Sequence, residues 1–131
     1  MDVYINPNPA PTRVNQTWNM LSSQGLVWSV TSSALPIRPN DTRTLTIGDR
    51  YYQPPLSNFA GNLPIGTRVY AQVDSANADT TYGAVLENHE ITGDRYNNIT
   101  WTTVGTASLA KVPPPAKDQQ PDLSLLLPRR P

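Results

Sequence analysis

The side chains with the types for catalysis or metal binding gather between Asp74 and Asn98. His89 is the only histidine and stands between Glu87 and Glu90. An imidazole beside a carboxylate has the makings of a general base, because its proton affinity lies near neutral pH. Nucleophilic catalysis would also need a Ser, Cys or Thr brought to that base, and the chain has no cysteine and no G-x-S-x-G elbow. A lone imidazole in a turn-rich stretch reads instead as a loop residue partly paired with a neighbouring carboxylate. The expectation is a protein that is not an enzyme.

The same stretch is rich in oxygen donors: Asp74, Asn77, Asp79, Glu87, Glu90, Asp94, Asn97 and Asn98. Calcium takes several such oxygens in flexible geometry, and Asp74, Asn77, Asp79, Glu87 and Glu90 are the candidate ligands. Their spacing lacks the D-x-[DN]-x-[DN]-G element of an EF-hand loop. Asp and Asn also close turns by bonding to nearby main-chain groups, which accounts for Asp74, Asn77 and the Asn97-Asn98 pair with no ion. The expected arrangement is a loop ordered by side-chain to backbone hydrogen bonds, with no cofactor and no metal. Asn15, Asn40 and Asn98 each begin an N-x-[ST] triplet and are the glycosylation candidates, Asn40 in a proline-bounded turn being the most accessible. Of the aromatics, Trp28 and Trp101 fall at inward strand positions and read as core. Tyr51 and Tyr52 lie in a connection and are the candidates for a surface that stacks on a sugar.

These residues must be positioned by strands. In Thr67 to Asp74, Val69, Ala71 and Val73 alternate with Arg68, Tyr70, Gln72 and Asp74, the period of a strand with one buried face. Asn98 to Val104 sets Ile99 and Trp101 against Thr100 and Thr102 in the same way. Further strands are expected at Asp2 to Pro7, ended by the prolines that follow, and at Leu26 to Thr31 with Leu26, Trp28 and Val30 on one face. Another is expected at Thr42 to Ile47 with Leu45 and Ile47 inward. No long segment has an apolar period near 3.6, so helix is expected only as a turn or two around Gln16 to Ser22. Short strands separated by Pro, Gly and Asn make an antiparallel β-sandwich the best reading.

Composition narrows the function classes. Lys+Arg and Asp+Glu are both 10 in 131 residues, so the chain has no charge footprint for nucleic acid or an anionic membrane. No apolar run is long enough for a membrane helix, and Met1 to Ala10 has no apolar signal-peptide core. After Ser108 the character changes to a Pro-rich spacer, Val112-Pro113-Pro114-Pro115, followed by the apolar Asp122 to Leu127. The expected division is a sandwich over 1–110, a linker over 111–120 and a strand-bearing tail over 121–131.

Two short stretches carry a family resemblance. VDSAN (Val73 to Asn77), then Tyr82-Gly83, Glu87, Glu90 and Asn97-Asn98 leading into a strand, resemble the C-terminal hairpin of CARDB-type immunoglobulin-like domains (cell adhesion related domain found in bacteria). Pro121-Asp122-Leu123-Ser124-Leu125 is similar to the opening of the first strand in that family, and Asp2 to Pro7 looks like its third. The resemblance implies an all-β, immunoglobulin-like antiparallel sandwich, incomplete at its N-terminal edge, with the first-strand motif displaced to the tail. It further implies an extracellular or cell-surface structural subunit. Such a subunit would donate Asp122, Leu123, Leu125 and Leu127 to a neighbouring copy and grow head to tail into a filament, a homopolymer used in adhesion. The alternative reading is a monomeric accessory module of a secreted protein that binds calcium or a surface glycan.

Overall fold

Three of the four described strands form where β-branched and aromatic residues alternate with other types; the exception, Gln24-Gly25-Leu26-Val27, pairs without that pattern. The computed structural model describes residues 1–30, 38, 40–93 and 96–105. Among these, β1 (Asp2–Ile5), β2 (Gln24–Val27), β3 (Arg68–Gln72) and β4 (Ile99–Thr103) make one antiparallel sheet in the order β2-β1-β3-β4. Sheet dominates the regular structure, and the fold is all-β. Among the described residues helix is confined to single turns, α1 (Trp18–Leu21) where a turn is expected and α2 (Asn88–Ile91) where none is, with a 3-10 turn at Pro54–Leu56. The tail, the linker and the end of the expected sandwich at residue 110 lie outside the described residues, as does Asp94.

Register divides the sheet into two faces. Asp2 opposes Val27 and Gln72, Tyr4 opposes Gly25 and Tyr70, and Tyr70 opposes Trp101, so these side chains share one face. Val3, Ile5, Leu26, Val69 and Ala71 share the other. Both faces carry buried residues: Ile5 and Leu26 on the second, and Asp2, Tyr4 and Gln72 on the first. Gly25 permits the close cover of the first face. A Cβ at that position would collide with the Trp18 ring, so only glycine lets the indole lie on the strand.

Three local expectations are corrected. In β3 the inward residue is Gln72, with 0% of its surface exposed, while Val73 is 52% exposed. Trp101 is 59% exposed and stacks on Tyr70 instead of entering the core. Thr42 to Ile47 forms no strand, and Ile47 is exposed. The reason lies in competing side chains. The Thr46 amide donates to Asp49 Oδ2 at 2.9 Å and its carbonyl accepts from Trp28 Nε1 at 3.2 Å, so neither group is free for a ladder.

The two sheet edges differ. Along β2, the Val27 carbonyl accepts from the Gln53 amide at 2.9 Å and the Val27 amide donates to Ser57 Oγ at 2.9 Å. Gly25 and Asn58 exchange two main-chain bonds, and Ser29 N–H donates to the Tyr51 carbonyl. That edge is covered. Along β4, no described group bonds to the side facing away from β3.

Candidate functional site

A cleft of about 480 Å³ opens over the first sheet face at the β1–β2 end. Asp2, Trp18, Val27, Trp28, Asp74 and Ser75 are among the residues that line it, and no lysine or arginine does among the described residues. Trp18 is brought there by α1 and held by donation from its Nε1 to the Leu56 carbonyl at 2.8 Å. Trp28 is buried, with its ring 5.4 Å from that of Tyr52. Met1 continues the β1–β2 ladder, its amino group donating to the Trp28 carbonyl at 2.8 Å and its carbonyl accepting from the Trp28 amide at 2.9 Å.

Asp2 is the unusual residue of this cleft. Its side chain is 97% buried by accessible surface (3% exposed), yet its Oδ2 has no hydrogen-bond partner. Burial raises its pKa above the ordinary carboxylate value, opposed in part by the nearby amino terminus and by a hydrogen bond from Ser75. A buried carboxylate oxygen without a donor is costly and calls for a ligand or a role.

On the same sheet face as Asp2, a polar network is centred on the buried Tyr4 and Gln72. The Tyr4 hydroxyl lies 2.6 Å from both Gln72 Oε1 and the Gln16 carbonyl oxygen. Gln72 Nε2 donates to the Arg13 carbonyl at 3.0 Å and to the Tyr96 hydroxyl oxygen at 2.9 Å. Desolvation pushes both phenols up from their ordinary pKa. The network ties the Arg13 to Gln16 arm, β1, β3 and the approach to β4 into one unit.

The oxygen-rich loop is organised from within. Asp74, at φ +50°, accepts from the Ala84 and Val85 amides at 2.6 and 3.0 Å. Gly83 lies at φ +90°, and its missing Cβ leaves the space that the Asp74 carboxylate occupies. Asn77 Nδ2 donates to the Gly83 carbonyl, and Asn77 Oδ1 accepts from the Asp79 amide. Glu87 and Glu90 form a reciprocal capping box at the start of α2, with the Glu87 amide donating to Glu90 Oε2 at 2.9 Å. Side-chain to backbone bonds are therefore present at Asp74 and Asn77, two of the residues expected to close this loop, and also at Glu87 and Glu90, which were expected only as oxygen donors. Among the described residues, no group of three or more His, Cys, Asp or Glu is placed to hold a metal ion. His89 falls within α2, and its side chain lies outside the described part of the protein.

The remaining sequence candidates are dispersed. Asn15 is exposed at φ +60°, with Nδ2 donating to the Thr80 carbonyl and Oδ1 accepting from the Asn77 amide. Asn40 is exposed in the left-handed region at φ +65°. Asn98 is half-buried and accepts from the Val73 amide at 2.9 Å. Tyr52 packs against Trp28, and the Tyr51 ring lies 4.7 Å beneath the Arg50 guanidinium. Asp122, Leu123, Leu125 and Leu127 lie outside the described residues. Sequence reasoning missed Asp2, Trp18 and Gln72 as a group. Their only signal was a carboxylate and a carboxamide at strand positions with no evident reason to face solvent. No helix of the described chain is long and apolar enough to cross a membrane. Compared with protein-family models, curated proteins and solved structures, the chain matches none.

Proposed function

We propose that the chain is an extracellular structural subunit of the CARDB-like, immunoglobulin-like type that associates head to tail. Its tail strand, Asp122 to Leu127, would add to the outer edge of β4 in a neighbouring copy. The observation that carries this reading is the asymmetry of the edges: β2 is sealed by the segment from Gln53 to Asn58, whereas β4 has no partner on its outer side among the described residues. An unpaired edge offers main-chain donors and acceptors to an incoming strand. The side chains also suit it. Ile99 and Trp101 stand on one face of β4, so a strand presenting Leu123, Leu125 and Leu127 there would cover the exposed indole. Ser124 and Leu126 would fall beside Thr100 and Thr102. Donor and acceptor surfaces differ, so repetition gives an open filament.

Negative-stain images and sedimentation of three proteins test the reading: the intact chain, a chain lacking residues 121–131, and a Trp101→Ser variant. The intact chain should form polymers, the truncated one should not, and Trp101→Ser should polymerise more weakly with an unchanged fold. Polymers from the truncated chain, or a stable intact monomer, would refute strand donation. The exposed stack of Trp101 on Tyr70, with centroids 5.9 Å apart and planes 22° from parallel, favours one second reading, a glycan-binding module. On that reading the intact chain is monomeric, and its melting temperature rises with added oligosaccharide.

A further inference from the structure

From the cleft over β1 and β2 we infer a binding site for an organic cation: a guanidinium or ammonium group carried on an apolar stem. The site stands apart from the β4 edge, which is at the opposite end of the sheet order, and does not depend on strand donation. Three observations converge on this ligand class. First, the lining is acidic and aromatic, with Asp2 and Asp74 beside the rings of Trp18 and Trp28, no basic side chain among the described residues, and the Met1 amino group as the one cation set against the two carboxylates. A cation over an indole face is attracted by the ring quadrupole, and a carboxylate nearby supplies the counter-charge. Second, the two carboxylates are not equivalent. Asp74 spends its oxygens on the Ala84 and Val85 amides, whereas Asp2 keeps a buried oxygen with no donor. An N–H donor in the cleft would satisfy that oxygen. Third, Val27, Val30 and Leu56 give the cleft an apolar wall on which a hydrocarbon stem would rest, and its volume of about 480 Å³ suits a small ligand or a single long side chain.

Anions and neutral sugars are disfavoured on the same grounds. An anion would meet two carboxylates, and a sugar would bring no second positive charge to balance Asp2 and Asp74, which share the single Met1 amino group. Two sources can supply the cation: a free small molecule, or the guanidinium groups of Arg129 and Arg130, which follow the tail strand in the sequence.

The test uses the full chain and arginine amide, with citrulline amide as the neutral probe of the same shape. Binding is read by calorimetry and by the fluorescence of Trp18 and Trp28 in a Trp101→Phe background. Arginine amide should bind about tenfold or more tightly than citrulline amide, and Asp2→Asn should abolish that preference. Should Asp2→Asn fail to fold, the comparison of the two probes on the wild-type chain still decides. The double variant Arg129→Ala/Arg130→Ala separates the sources. Tighter arginine amide binding in the double variant assigns the cleft to the tail arginines, and unchanged binding assigns it to an external cation. Equal affinity for the two amides, or no response to millimolar arginine amide in either the wild type or the double variant, overturns the inference.

Discussion

Replacing Tyr4 by Phe removes one oxygen from the least accessible part of the protein. Tyr4 and Gln72 are both 0% exposed, and the hydroxyl lies 2.6 Å from Gln72 Oε1 and 2.6 Å from the Gln16 carbonyl. Phe fills the same space without the donor. A buried acceptor left without its donor costs about 1–3 kcal/mol, and Gln72 Oε1 has no route to solvent. The Gln16 carbonyl belongs to a half-buried residue and can recruit water, so its share is smaller. The expected loss is about 2 kcal/mol, which for a domain of this size lowers Tm by on the order of 10 °C. Gln72→Leu should cost a similar amount for a different reason, since it strips a donor from the Arg13 carbonyl and from the Tyr96 hydroxyl. The double variant removes donor and acceptor together. It should therefore be more stable than the sum of the single losses by about 1 kcal/mol, the coupling of groups in direct contact. Urea and thermal melts followed by circular dichroism give all four corners of the cycle. If Tyr4→Phe changes stability by less than about 0.5 kcal/mol, or if the two losses simply add, the network is not a stabilising unit and the reasoning fails.

Three further outcomes are expected. Gly83→Ala should destabilise the loop through both its φ of +90° and the collision of the new methyl with the Asp74 carboxylate, by about 1–3 kcal/mol. Amide exchange at Ala84 and Val85 would register the loss, and unchanged protection there would contradict it. Asp2 has a folded pKa raised by burial, so its contribution is full below the ordinary value of 3.8 and is lost as pH rises through the raised value. Asp49 is held low by the Thr46, Tyr51 and Tyr52 amides, so its contribution is lost as pH falls below 3.8. Stability measured against pH should therefore change slope on opposite sides of that value, and Asp2→Asn should flatten only the upper side. Finally, EDTA should leave Tm unchanged, because Asp74, Asn77, Glu87 and Glu90 already bond within the loop. A fall in Tm reversed by added Ca²⁺ would show a metal site.

The strands were legible because their signal is local. Asp2 to Pro7, Leu26 to Thr31, Thr67 to Asp74 and Asn98 to Val104 each alternate with β-formers; β1, β3 and β4 form within those spans, while β2, at Gln24–Val27, starts before Leu26 and shares only Leu26 and Val27 with its span. Thr42 to Ile47 shows the limit of that signal. It alternates as well as the others, but Asp49 and Trp28 take the main-chain groups of Thr46, and neither competitor can be recognised from the segment itself. The Glu87 and Glu90 pair was visible as oxygen donors and not as a helix cap, because Glu is an uncommon N-cap and α2 is only a single turn.

The direction in which a strand faces was not legible, and the candidate site was hidden with it. A period of two says that side chains alternate between faces, not which face is covered. In β3 the apolar Val69, Ala71 and Val73 look like the inward set, yet the residue sealed from solvent is Gln72, because the Arg13 to Gln16 arm and Tyr96 supply its polar partners. Those partners are 59 and 24 positions away in sequence, so no local pattern announces them. Once Gln72 faces inward, register carries Asp2 and Tyr4 to the same covered side, and Asp2 becomes the floor of the cleft. Register also explains Trp101. It shares this face beside Tyr70, one alternate position beyond Gln72, but within the sheet the described hydrogen bonds of the arm reach only Tyr4 and Gln72. The cover stops short of β4, and an indole that alternation assigns to the core is left at the open edge with a single ring against it.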